Sequence, residues 1–90
     1  MRQIEKKMLN AIEQRKPFAS GNTLVTIDFN TAHVFLHGNH IASITPAGNT
    51  LVNIETLKRY PTVTTKSRLR ALGVNVATKN FVTFLDGEEI

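Results

Sequence analysis

Ninety residues with a formal charge of +4, a sequence pI of about 9.9 and 41% apolar residues leave room for one core and one domain, residues 1–90, and exclude a disordered tail or a fibrous repeat. The absence of cysteine excludes a disulfide framework, a thiolate metal site and a cysteine nucleophile, so the chain folds on packing alone. No run approaches the roughly 20 apolar residues of a bilayer span, and residues 1–7 lack the apolar core of an export signal; no membrane partner is expected, and a cytoplasmic location is.

Ile4, Met8, Ala11 and Ile12, with Leu9 beside them, recur at the spacing of one helical face and predict an amphipathic helix over residues 2–16, stopped by Pro17. Arg2, Glu5, Lys6, Glu13 and Lys16 are expected on its solvated side. The period then changes to two: Val25, Ile27 and Phe29 alternate with Leu24, Thr26 and Asp28, the pattern of a half-buried strand. Runs from Ala32 to His37 and from His40 to Thr45 flank Gly38-Asn39, which predicts a tight hairpin with Gly38 at positive φ in the first central position of a type II′ turn. Gly21 to Ile27 is echoed by Gly48 to Ile54, two turn-then-strand units that together give a meander of four strands.

Beyond Pro61, Thr64 to Gly73 has a hydroxyl residue to start a short second helix and a glycine to end it. Val74 to Val76 and Phe81 to Leu85, joined by residues 77–80, read as a closing hairpin. The predicted class is α+β: an antiparallel β meander with an N-terminal helix and a short second helix, in the order αββββαββ.

Three histidines within eight residues, His33, His37 and His40, raise the question of a metal. On a strand, His33 and His37 share a face but lie roughly 13 Å apart, too far for one zinc. Only His37 and His40 could meet, across the turn, and two ligands do not make a site, so no metal and no cofactor are expected. No phosphate-cradling loop, nucleophile elbow or paired carboxylates can be recognised, and no enzymatic activity is expected.

The segment from Lys58 to Arg70 is the candidate functional region. Lys58, Arg59, Lys66, Arg68 and Arg70 are uninterrupted by an acid, whereas Asp86, Glu88 and Glu89 crowd the last five positions. Thr64, Thr65 and Ser67 can donate hydrogen bonds to phosphate at a helix start, and Tyr60 can stack on a base. The alternative is a helix anchored by Leu69 and Leu72 whose cations merely solvate its outer side.

The stretch Leu36-His37-Gly38-Asn39-His40-Ile41-Ala42, followed by Thr62-Val63-Thr64-Thr65-Lys66-Ser67-Arg68-Leu69-Arg70-Ala71-Leu72, resembles a family of small tailed-bacteriophage proteins over most of the chain. Asn22-Thr23-Leu24-Val25 matches the same family pattern, whereas Phe81 and Phe84 stand where a tryptophan-bearing closing segment would be expected. The resemblance supplies no active site. It implies an infected bacterial cytoplasm, where small phage products commonly bind nucleic acid or inhibit a host protein. Two functions are therefore expected to compete: nucleic-acid binding through the basic helix, with steep salt dependence, and binding to a host protein through a sheet face or edge.

Overall fold

The computed structural model describes residues 1–90. Helix α1, Gln3–Gln14, leads into five strands: β1 (Phe18–Ser20), β2 (Thr23–Asp28), β3 (Thr31–Leu36), β4 (Asn39–Ile44) and β5 (Thr50–Val52). Helices α2 (Ile54–Arg59) and α3 (Val63–Ala71) follow, then strands β6 (Val76–Lys79), β7 (Val82–Leu85) and β8 (Glu88–Glu89). The first five strands form one antiparallel sheet in chain order and the last three a second, smaller one. The α+β class and the meander are as the sequence predicts; β1, α2 and β8 are additions.

Alternation along the strands sends Val25, Ala32, Val34, Leu36 and Ile44 to one face of the large sheet, where Met8 and Ile12 of α1, Leu57 of α2 and Leu69 of α3 cover them. Val76 ties the small sheet to the same core. Phe29, expected to continue the inward set, lies instead in the β2–β3 turn, 93% exposed.

The echoed Gly-Asn-Thr-Leu-Val units diverge after their strands begin. The first runs six residues as β2; the second stops after three, because Asn53 turns its side chain back to accept from Thr56 N–H (3.2 Å) and caps α2. Thr26, the matching residue of the first unit, remains in its strand.

Turn chemistry corrects the expected β3–β4 hairpin. It is real, and Gly38 has φ +79°, but Leu36 pairs with Asn39, so the loop is His37-Gly38 and Gly38 is its second residue. His37 also has positive φ, +51°, which makes the turn type I′. The II′ arrangement expected there occurs at Gly21-Asn22, where only the glycine has positive φ (+53°). The closing hairpin turns at Asn80-Phe81, both at positive φ, rather than over residues 77–80.

Helix α1 ends at Arg15 in the left-handed conformation, with Lys16 N–H bonded to the Ala11 carbonyl. Arginine serves where glycine is usual because its guanidinium donates to the carbonyls of Ile12, Asn30 (3.0 Å) and Thr45 (2.8 Å). One side chain thereby fastens the helix end to the β2–β3 turn and to the end of β4.

Candidate functional site

The basic segment is only partly a surface. Arg68, on α3, is 3% exposed and points inward: its Nη1 meets the Glu5 carboxylate at 2.7 Å, its Nε donates to Thr23 Oγ1 at 3.1 Å and its Nη2 to Asn22 Oδ1 at 3.3 Å. Glu5, expected on the solvated side of the first helix, is 2% exposed. It also accepts from Ser67 Oγ (2.6 Å) and Arg2 N–H (3.2 Å). Burial pushes the Glu5 carboxyl up, but the Ser67 hydroxyl and the Arg68 guanidinium outweigh it and hold the group below its ordinary value. Arg68 and Ser67 thus tie α3 to α1 and to the β1–β2 turn.

Two more of the expected phosphate ligands are also drawn in. Thr65 is buried, its N–H and hydroxyl both bonded to the Thr62 side chain, and Lys66 is 7% exposed with Nζ donating to Thr78 Oγ1 of β6. Thr64 is half-buried. The outward basic helix expected from sequence is therefore corrected to one that spends Lys66 and Arg68 on internal partners. A lone amphipathic pattern could not reveal this, since charged residues default to solvent unless a partner distant in sequence meets them.

Lys58, Arg59, Tyr60 and Arg70 remain exposed. Arg70 donates Nε to the Val76 carbonyl at 2.9 Å, and its other donors have no partner in the chain. It lines a groove of about 370 Å³ with Pro61, Val63, Lys66 and Phe81. A neighbouring groove, of about 300 Å³, joins Lys58 and Pro61 to the same Phe81. The structure thus brings Lys58 and Arg70 to one region together with Phe81, a residue that the sequence pattern assigns to a strand, whereas Arg59 and Tyr60 line separate cavities with Asn39 and Thr56.

Phe81 is fully exposed with φ +64°, a backbone region that bulky residues rarely occupy. Its partner in the turn, Asn80, is the residue type favoured there; phenylalanine is not. The Asn-Phe dipeptide carried a turn signal in its asparagine, but only the register shows which residue stands at the tip.

A family model described as Kyanoviridae Gp96 protein matches residues 1–90. The chain belongs to that family. No curated protein and no solved structure matches it. The Gp96 assignment accords with the tailed-phage resemblance seen in the Leu36–Ala42 and Thr62–Leu72 segments. No helix of this Gp96-family protein is long and apolar enough to cross a membrane.

On the uncovered face of the large sheet the histidines pair differently from the expected His37 and His40. A bulge sets Val34 opposite Ala42 but Phe35 opposite His40, leaving Ile41 as the extra residue. His40 and Ser43, three apart, then share the outer face with His33, whereas His37 stays in the turn. The two rings lie 5.8 Å apart, and Ser43 Oγ is 2.8 Å from both His33 Nδ1 and His40 Nε2.

Asn53 fixes the direction of this chain. Its Oδ1 is committed to Thr56 N–H, so its Nδ2 faces His40 Nδ1 at 3.2 Å and donates. His40 then carries its proton on Nε2 and donates to Ser43, which donates to His33 Nδ1; these tautomers are inferred from the network. An amide donor at Nδ1 leaves no place for a second proton.

Burial, then the charge His33 carries when protonated, hold His40 below its ordinary value of 6.5. The unfolded chain therefore binds more protons than the fold near that pH, and the contribution of His40 to stability is full above about 6.5 and lost as pH falls through the folded value. Melting temperature should fall between pH 7.5 and 5.5 in the parent and fall less in His40→Gln. An equal fall in both would assign the pH dependence to other groups.

Proposed function

We propose that this Gp96-family protein is a non-catalytic binding protein that takes single-stranded nucleic acid along the surface between Tyr60 and Phe81. The observation that carries the reading is Phe81 itself. A bulky residue in the left-handed region costs about 1–2 kcal/mol, and burial returns nothing because the ring is fully exposed. A stacking platform beside cations would account for such a ring, since bases stack on exposed aromatics while Lys and Arg follow the backbone. Lys58 and Arg70, which line the grooves beside Phe81, supply the charge. Asp86 and Glu88 lie at the β7–β8 turn, the end of the second sheet opposite the β6–β7 turn that carries Phe81, whereas β8 runs back beside β7 until Ile90 lines the groove with Phe81.

Phe81→Gly should separate function from stability. The change puts a glycine after Asn80, giving the Asn-Gly pair that type I′ turns favour, and should raise stability by about 1 kcal/mol. Affinity for a mixed-sequence single strand should fall about tenfold, within the 1–3 kcal/mol of one base stack. Phe29→Gly is the control, because Phe29 is also exposed at positive φ (+48°) in a hairpin turn but lies outside the basic surface. It should gain stability and bind normally. Replacing Arg70 with alanine should flatten log affinity against log salt by about one unit. Unchanged affinity in Phe81→Gly, or absence of salt-dependent binding by the parent, would refute the reading.

A host protein as partner is a second reading, favoured by the uncovered sheet face. Leu24 pairs with Phe35 there and Ser43 with Leu51, which is 57% exposed. Loss of the nucleic-acid reading would leave this face as the surface to test.

A further inference from the structure

We infer that the cavity between the His37-Gly38 turn and Tyr60 is a subsite for one unstacked nucleobase, an inference that rests on the nucleic-acid reading above. The cavity holds about 210 Å³, below the roughly 300–1,000 Å³ of sites for drug-sized ligands, and so suits a single planar ring system. Leu36 and Ile41 form an apolar floor, and His37 and Tyr60 stand at the opening. The β-bulge that turns His40 outward is what adds Ile41 to this floor.

Hydrogen-bonding capacity at the rim is unspent. Asn39 makes one long contact, Nδ2 to the His37 carbonyl at 3.4 Å, and its Oδ1 has no partner; the Thr56 hydroxyl has none either. An amide with a free acceptor and a nearly free donor can pair with a base edge in two places at once, as asparagine does with adenine. Apolar floor, aromatic opening and one amide are the chemistry by which single-stranded bases are held: stacking supplies affinity and the amide fixes orientation.

A second, polar cavity of about 220 Å³ adjoins the first and shares Asn39, Thr56 and Tyr60 with it. It contains Arg59 and Glu55, which form no ion pair with each other. A base in the apolar cavity would place its sugar and phosphate in the polar one, where Arg59 is available to the phosphate. The base would enter on one side of the Lys58–Pro61 segment while Phe81 stacks a neighbour on the other.

The test uses the full chain and two twelve-residue single strands, one of mixed sequence and one abasic with the same number of phosphates. Tyr60 is the chain's one tyrosine, so its ring signals in a proton NMR spectrum are unambiguous. The intact strand should bind about a hundredfold tighter than the abasic strand, about tenfold for each of the two stacked bases, and should shift the ring signals of Tyr60 and His37, which the abasic strand leaves in place. Because Phe81 stacking also distinguishes the strands, the comparison is repeated in Phe81→Gly, where the intact strand should still shift Tyr60. Tyr60→Ala in that background should make the two strands bind equally. Intact-strand binding that leaves Tyr60 unmoved, or a preference for bases that survives loss of both rings, would overturn the subsite while leaving backbone binding intact. Failure of both strands to bind would overturn the subsite together with the reading beneath it.

Discussion

Glu5→Ala should destabilise the fold by about 3–5 kcal/mol, because it leaves the Arg68 guanidinium buried without its counter-charge. Both members of the pair are almost fully enclosed, at 2% and 3% exposure, and 2.7 Å apart. Arg68→Ala should cost a similar amount, leaving the carboxylate with Ser67 and Arg2 as its remaining donors. The double variant Glu5→Ala, Arg68→Ala should lose clearly less than the sum, since no charge stays buried; denaturant unfolding of the parent, the two single variants and the double variant closes the cycle. Strict additivity would show that the pair is not coupled.

Acid should act on the same pair. With its folded-state pKa lowered, Glu5 contributes stability that is full above the unfolded carboxylate value of about 4.3 and is lost as pH falls through the folded value. Glu5→Gln should therefore be less stable than the parent at neutral pH and lose less on acidification below pH 4. A parallel loss in both forms would place the acid sensitivity elsewhere.

Leu69→Ala should cost about 2–5 kcal/mol, the range for emptying a fully enclosed leucine site, with a fall in Tm of roughly 10 °C or more. Leu69 has no exposed surface and lies where α3 meets the large sheet on one side and Val76 of the small sheet on the other. Three elements must move to close such a cavity. Val63→Ala, one helical turn and more away and 74% exposed, is the matched control and should change stability by less than about 0.5 kcal/mol. Comparable effects at the two positions would mean that α3 presents a different face to the core.

Helix α1, the β3–β4 hairpin and the start of α3 were legible because each is written locally. Met8 and Ile12 recur at helical spacing, Gly38 punctuates two alternating runs, and hydroxyl residues after Pro61 mark a helix start, although the cap is Thr62 and the helix begins one residue before the expected Thr64. Helix α2 was not legible. Its only local mark is Asn53, and the preceding Thr-Leu-Val gave the same strand signal as the earlier copy of that sequence. The exposed part of the site, Lys58, Arg59, Tyr60 and Arg70, was visible as a charge pattern; Phe81 was not, since an aromatic residue next to a strand counts as a strand residue until the register is known.

Sequence alone determined the class of fold, the succession of meander and helices, and the concentration of charge between residues 58 and 70. These follow from periodicity, turn residues and composition, each of which acts over a few neighbouring positions. Only the tertiary structure decided which charges are available to a partner. Glu5 and Arg68 are 63 residues apart, and their burial depends on two helices meeting over one sheet. The single bulge at Ile41 likewise decided that His40 joins His33, since one extra residue reverses the face of every side chain beyond it.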